Sequence, residues 1–455
     1  LKSLILLWQV IAYEYAVRCS TSATKDWKTV LGRSKHEGLS FLTIALPTFG
    51  KDFETSLDQG YVARNLFSGF AFQAGLPRFL GGFLELVFDR CDGVLLDNPN
   101  IEAIQAVRQL TQLSGKLFLV SNDARQEAAM KGYIQCEKEV RANDAKISSS
   151  MMKEFKRVSS LLYDTVMTRI DNDLYYGKHR PAHGPGATAD GLRGNSKFRQ
   201  REWPVRLEEM FPAMEHLLPS PSYWEELDEV DFLEPGAERP VRIISVPKTM
   251  KTPRIIGIEP TAMQYAQQAV LPLIIDSITK DETLDWMLGF DDQEPNQLMA
   301  AIGSTGLVDL ATLDLSEASD RVSNQLVRCM LSNFPWFSKA VDACRSRKAD
   351  VPGHGVIRLA KFASMGSALT FPIEAMVFLT ATFLGIEDVL NTRLTKKDIK
   401  SFKGMVRIYG DDIIVPVEYV HAVIARLEAF GLVVNRNKSF WTGQFRESCG
   451  KEYYD

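Results

Sequence analysis

Two adjacent carboxylates, Asp411 and Asp412, follow Gly410 between two short β-branched runs, residues 406–409 and 413–417. Neighbouring carboxylates repel each other, and both ionise with difficulty unless a cation sits beside them. Hard divalent ions such as Mg²⁺ or Mn²⁺ take oxygen ligands and supply that cation. Gly410 lets the backbone turn tightly there and leaves room for a substrate. A Gly-Asp-Asp turn alone is ordinary hairpin chemistry. A third acid, Asp314, closes the strand-like run 310–315 (LATLDL). Three acids from two adjacent strands can hold two metals ~3.5–4 Å apart, the arrangement that serves both oxygens of an in-line phosphoryl displacement. The competing reading of Asp314-Leu-Ser-Glu-Ala-Ser-Asp320 is a helix cap, with Asp or Ser before the helix and Glu317 in its first turn.

Other segments carry complementary chemistry. Ser364-Met365-Gly366-Ser367 is a run of small residues before an apolar segment, with room for a sugar-phosphate chain; it also reads as a capping loop. In Arg242-Ile-Ile-Ser-Val-Pro-Lys248-Thr-Met-Lys251-Thr-Pro-Arg254, cations alternate with Pro and β-branched residues, as in an extended arm or hairpin. Such an arm can hold a triphosphate and the charge developing on a leaving pyrophosphate. Asn435-x-x-Lys438-Ser439 follows further on.

The elements that position these residues come from pattern and charge. Residues 1–175 read as mostly helical, and 100–115 has apolar positions at helical spacing. Past Ile255, apolar helical runs alternate with short strands, with helices expected over 320–334, 372–385 and 418–431. This is an α+β pattern. The 455 residues suggest about three domains at ~150 residues each. At 45% hydrophobic and 24% charged, the composition excludes a disordered chain, and the scattered cysteines exclude a disulfide scaffold. A net charge of −4 means that any nucleic-acid contact uses local patches. Such patches exist. Residues 177–206 hold seven Lys/Arg against two acids, residues 207–238 hold ten acids and no Lys or Arg, and residues 239–254 hold five Lys/Arg and no acid. Two basic blocks around an acidic one suit a groove for a polyanion with the acidic block outside it. The apolar runs 4–17 and 371–386 fall short of a membrane span and read as buried helices. The chain opens on Leu1 and stops inside a polar-aromatic segment, so it reads as a fragment of a longer reading frame.

The order of these segments (basic arm, Asp314…Asp320, Ser-Met-Gly-Ser, Gly-Asp-Asp, Asn435…Lys438) resembles that of a viral RNA-dependent RNA polymerase palm. The resemblance is closer still to the replicase catalytic subunits of single-stranded RNA bacteriophages, the leviviruses. It rests on His183-Gly-Pro-Gly-Ala-Thr-Ala-Asp190-Gly, Val246-Pro-Lys-Thr, Asp292-Gln-x-x-Asn296-Gln, DLSEASD, SMGS, YGDD and Phe445-Arg-Glu-Ser-Cys-Gly-Lys451, within a span from about Gly93 to Asp455. Asp291, where a basic residue is expected, and Ser367, where Asn is expected, depart from the pattern.

The resemblance implies a right hand of fingers and palm, an antiparallel palm sheet flanked by helices, and a thumb largely beyond Asp455. Residues 1–238 would form the N-terminal and fingers region, 239–305 the basic arm and the helices leading to the palm, and 306–455 the palm. Asp314, Asp411 and Asp412 would ligate two Mg²⁺ ions (Mn²⁺ as the alternative), with the Leu315 carbonyl assisting. Lys438 would be the general acid for pyrophosphate. Lys248, Lys251 and Arg254 would contact triphosphate. Ser319, Asp320, Ser364, Met365 and Gly366 would line the nucleotide, with Asp320 and the Ser364 loop at the ribose 2′-OH. RNA template, nascent RNA and nucleoside triphosphates would be its partners, with host elongation factors Tu and Ts, in the bacterial cytoplasm. A reverse-transcriptase-like polymerase and a catalytically silent RNA-binding fragment are the rival readings. A phosphatase reading of Asp89 and Asp92 fails on spacing, since that chemistry needs Asp-x-Asp.

Overall fold

The computed structural model describes residues 1–455. The N-terminal region is helical, with α1 (Lys2–Arg18), α2 (Thr24–Glu37), α3 (Leu46–Gln59), α4 (Ile101–Gln112), α5 (Asp123–Asp144) and α6 (Ser149–Tyr175). Asn100 starts α4 by accepting the Ala103 N–H at 2.9 Å, so the helix begins where its periodicity does. The run 4–17 is not buried all round as expected. Trp8, Ala12 and Ala16 face the core, but Leu6, Val10 and Val17 of α1 are exposed.

Next come β1 (Val241–Val246) and β2 (Arg254–Ile258), then α7 (Thr261–Thr279), β3 (Leu288–Gly289), α8 (Glu294–Ser304) and β4 (Leu310–Ser316). They are followed by α9 (Ala318–Arg321), α10 (Asn324–Leu331), α11 (Pro335–Cys344), β5 (Lys348–Val351) and β6 (Gly355–Arg358). The chain ends with α12 (Thr370–Leu390), β7 (Arg407–Tyr409), β8 (Asp412–Pro416), α13 (Val420–Ala429), β9 (Val433–Val434), β10 (Arg446–Ser448) and β11 (Lys451–Tyr453). No helix is long and apolar enough to cross a membrane.

The expected helix over 320–334 is broken into α9 and α10. The chain turns at Ser323, whose hydroxyl accepts the Gln325 N–H at 3.0 Å and bonds Asp144 of α5. The expected cap on DLSEASD is also absent. Glu317 itself precedes α9, in the left-handed region at φ +53°, with no side-chain cap.

The fold is α+β, and two sheets organise the site. The central sheet has the order β9-β4-β8-β7-β3. Strands β4 and β8 are antiparallel with Asp314 opposite Asp412, and β7 and β8 form a hairpin with Tyr409 opposite Asp412. Both faces of this sheet are covered, which explains why β4 reads as an apolar run rather than an alternation. Ala311, Leu313 and Leu315 join the main core, while Leu310 packs with Met299 of α8 and Ile414 on the other face. Helix α12 lies in that main core, and from Pro372 to Ile386 every residue is buried, as a helix without a polar face must be. The second sheet, β6-β5-β1-β2, carries the basic arm.

The N-terminal helices have their own core, into which Phe440 and Phe445 insert from the far end of the chain. Asp58 of α3 fastens that junction by accepting the N–H groups of Trp441, Thr442 and Gly443 at 3.0–3.1 Å. Lys51, wedged between buried Glu54 and Glu447, adds an ion pair across it.

The two charge blocks before the arm are partly structural. Lys197 is fully buried and gives its ammonium to the Gly184 and Gly186 carbonyls, and the largely enclosed Arg206 side chain pairs with buried Glu238. Those two cations therefore do not line a groove. Residues Pro221–Glu229 of the acidic block form a short helix with no buried residue.

Candidate active site

Register brings the acids together. Opposed residues on antiparallel strands point to the same face, so Asp314 of β4 and Asp412 of β8 share one face, and Asp411 sits exposed at the adjoining turn. Gly410 makes that turn possible at φ +59°, and a Cβ there would lie 2.6 Å from the Phe371 ring. Phe371 in turn packs edge-on against Tyr409.

Asp314 is held on three sides by the Asn435…Ser439 segment. Asn435 donates its Nδ2 to Oδ2 at 2.9 Å, Lys438 Nζ lies 3.3 Å from Oδ1, and the Asp314 N–H donates to Ser439 Oγ at 3.0 Å. The Asp314 carbonyl accepts the Asn435 N–H at 2.8 Å. Both main-chain groups of Asp314 are thus spent on the β9 side. Because successive residues of a strand alternate direction, the Leu315 carbonyl is directed to the β8 side, toward the Asp411 turn.

The electrostatics follow from this crowding. Burial raises the Asp314 carboxyl above the usual range, Lys438 opposes the shift and Asp411 adds to it. Asp412 is pushed up to about 7 by burial, then by Asp411 and Asp314, with the Cys449 backbone N–H working the other way. Burial works against the Lys438 ammonium, but Asp314 and Glu447 outweigh it and hold its pKa up. No three His, Cys, Asp or Glu side chains, Asp314, Asp411 and Asp412 included, are gathered closely enough to hold a metal ion as they stand. The donor set nevertheless suits a hard cation: all three acids are oxygen donors, they repel one another, and an ammonium partly offsets the charge at Asp314.

The basic arm reaches the same place. Strands β1 and β2 pair antiparallel, with Val246 opposite Arg254. Partial burial lowers the Lys248 pKa, nearby Arg254 and Lys438 lower it further, and Asp411 and Asp314 pull the other way. Lys248 thus lies within electrostatic reach of Asp411 and Asp314, without pairing with either. Met250 in the tip is anchored to the N-terminal helices, its carbonyl accepting from Arg125 at 3.1 Å. Lys251 is exposed and makes no ion pair.

The small-residue loop docks on the arm. The Gly257 N–H of β2 donates to the Met365 carbonyl at 2.8 Å, and a Cβ on Gly366 (φ +128°) would fall 2.1 Å from the Gly257 oxygen. Met365 is exposed, whereas Ser364 is buried with its hydroxyl 2.7 Å from the Tyr133 hydroxyl. Ser364 therefore does not open onto solvent as the reading of a sugar-contacting hydroxyl supposes. Asp320 lies in α9 and pairs with Lys361 at 2.8 Å.

Three residues that support the site escaped sequence reasoning: Glu374, Lys361 and Tyr133. Asn435 was visible only as a motif member. Glu374 of α12 is buried with one oxygen unpaired, and burial, with Asp411 and Asp320 adding, pushes it up to about 8, Ser319 working the other way. A lone Lys361 inside the apolar run LAKFA was a signal; Tyr133, more than two hundred residues from Ser364, gave none. Asp89 of the rejected phosphatase reading is a turn residue, accepting the Cys91 N–H at 2.7 Å. A cavity of ≈ 570 Å³ lies beside Trp286, Phe290 and Phe371, but Asp285, Asp291 and Asp292 line it and make it a poor triphosphate site.

A pair of opposed carboxylates, a neighbouring acidic turn and facing cations define the class of site that performs phosphoryl transfer on a polyanionic substrate. Residues 237–455 match the family described as RNA replicase, beta-chain. The RNA-directed RNA polymerase subunit beta of Escherichia virus Qbeta is 36% identical over 215 residues, 47% of this chain and 33% of that protein. The corresponding subunit of Enterobacteria phage SP is 32% identical over 227 residues, covering 50% and 36%. The RNA-directed RNA polymerase beta chain of Escherichia phage MS2 is 35% identical over 215 residues, covering 47% and 35%. The chain's match spans about a third of the length of these relatives. An RNA-dependent RNA polymerase of a human picorbirnavirus, an insertion-loop deletion mutant, superposes with TM-score 0.35 at 14% identity, covering 47% of this chain and 44% of that one, too distant a likeness to place any residue. Residues 237–455 are thus similar to the RNA replicase beta subunits of the leviviruses, and every acid and cation of the candidate site falls within them.

Proposed function

We propose that this chain carries the catalytic palm, with part of the fingers, of an RNA-directed RNA polymerase that replicates a single-stranded RNA phage genome in the bacterial cytoplasm. The observation that supports it best is the cross-strand Asp314–Asp412 pair beside the Asp411 turn, with Lys438 and Asn435 on the Asp314 carboxylate.

Asp314, Asp411 and Asp412, with the Leu315 carbonyl, are the residues that would hold two Mg²⁺ ions. Bound there, the ions would activate the attacking 3′-hydroxyl and stabilise the leaving pyrophosphate. The chain's own residues do the rest. Lys248 and Arg254 hold the triphosphate and offset charge as the α–β phosphate bond breaks. Lys438 has its proton held firmly and is placed at Asp314, from which it can deliver that proton to pyrophosphate. Asn435 holds the Asp314 carboxylate, and Ser439 holds the Asp314 main chain. Asp320 accepts from the ribose 2′-OH, with Met365 and Gly366 leaving space for the sugar.

The test is primed extension of an RNA template with ribonucleoside triphosphates. Asp411→Ala should abolish incorporation while circular dichroism and RNA binding stay close to wild type. Turnover at the wild-type rate by this variant excludes the assignment. Binding of RNA without incorporation by the wild-type chain favours the silent RNA-binding reading, and equal use of deoxyribonucleotides the reverse-transcriptase-like one.

A further inference from the structure

One side-chain network joins the segment after Asp314 to the small-residue loop. Lys361 is fully buried, and its ammonium lies 2.8 Å from Asp320 Oδ1. A buried ammonium is costly unless paired. Here the Asp320 carboxylate meets it on one side and the Tyr133 ring, 3.4 Å from Nζ to the centroid, covers it on another. Burial would depress the Lys361 pKa, yet Asp320 and Tyr133 more than reverse that. The Tyr133 hydroxyl then bonds Ser364 at 2.7 Å, and Cys136, one turn along α5, points its thiol at the Asp320 carbonyl at 3.4 Å.

Asp320 needs this support. It sits in a helix of only four residues, entered through Glu317 at φ +53°, so its backbone alone holds it weakly. Its side chain keeps 19% exposure, which leaves one carboxylate oxygen free while the other is tied to Lys361. Helix α9 packs against α12, whose Phe371 lies against the Gly410 turn, so Asp320 is held on the same side of the fold as the acidic turn.

We propose that Lys361 and Tyr133 are positioning residues that hold Asp320 and the Ser364 loop as one unit and thereby set selectivity for ribose over deoxyribose. The proposal rests on the polymerase reading above. It also assigns a role to α5, which lies wholly outside the family match at 237–455. A carboxylate fixed by an ion pair discriminates because a substrate lacking the hydroxyl leaves it unpaired, and a freely rotating one does not.

The experiment compares kcat/KM for a ribonucleotide and its 2′-deoxy analogue on a primed RNA template. Tyr133→Phe keeps the ring over Lys361 and removes only the hydroxyl. It should lower the ribo/deoxy ratio about fivefold, as loss of one hydrogen bond does, with ribonucleotide kcat within about twofold of wild type. Lys361→Met should lower the ratio more than tenfold. The Asp320→Asn/Lys361→Met double variant strands no buried charge, so it keeps the fold, and its ratio should equal that of Asp320→Asn alone. A wild-type ratio in Tyr133→Phe, or additive losses in the double variant, overturns the proposal. If the wild-type chain polymerises without sugar preference, the proposal fails and the polymerase reading stands. If it incorporates neither nucleotide, both fall.

Discussion

Asp412 allows a test of the carboxylate cluster that needs no turnover. Its carboxyl rises from 3.8 to about 7 in the folded chain, through burial, Asp411 and Asp314. An acid whose folded pKa lies above its unfolded value binds more protons folded than unfolded between those two values. Its protonated form therefore supports the fold fully below pH 4, and that support is lost as pH rises toward 7. A rise of about three units is worth roughly 4 kcal/mol at 1.36 kcal/mol per unit. Because part of that shift is shared with neighbouring charges, about half of it, ~2 kcal/mol, is the share expected for Asp412 alone. Asp412→Asn removes the titrating group while keeping its shape. In EDTA, the variant should be less stable than wild type, or equal to it, at pH 4.5 and more stable at pH 8, with the difference shifting by ~2 kcal/mol in urea unfolding. Other buried acids, such as Glu259 and Glu374, also titrate in this range, so only the difference between wild type and variant is informative. Mg²⁺ at pH 8 should then restore more stability to wild type than to Asp412→Asn. Parallel pH profiles would refute the electrostatic account of the cluster, and equal stabilisation by Mg²⁺ would refute its role as a cation site.

Two further outcomes follow from the arm and the turn. Arg254→Ala should lower the maximal incorporation rate about a hundredfold, roughly 2.7 kcal/mol of transition-state stabilisation. Lys251→Ala, removing an exposed cation without a partner, should change it less than threefold, and the reverse order in steady-state kinetics would make the arm a template clamp. Gly410→Ala introduces both a positive-φ penalty and a clash with Phe371, so it should cost ~1–3 kcal/mol in chemical unfolding and most of the activity. Phe371→Ala in the same chain should recover part of the activity, and its failure to do so would leave the clash without a role.

The α+β class, the Tyr409–Asp412 hairpin, the basic hairpin and the apolar helix after Ser367 were legible in the sequence because each is local. A turn, a period of two or a period of 3.6 is written in neighbouring residues. Asp314, Asp411 and Asp412 were legible as acids at strand ends for the same reason. What the tertiary structure alone decided is which residues complete them. The opposition of Asp314 and Asp412 is a register between strands some hundred residues apart. The three-sided hold on Asp314 depends on β9 closing beside β4. The break at Ser323 comes from Asp144 of α5, a tertiary contact overriding a helical pattern. Burial is the largest hidden variable. Lys197 looks in sequence like any surface lysine and Lys361 stands out only by its apolar neighbours, yet both are fully enclosed, one on backbone carbonyls and one between Asp320 and Tyr133. A side chain's charge is written in its residue type, but what that charge faces is set by elements distant in the chain, and it is that partner which turns a cation into a groove, a strut or a positioning group.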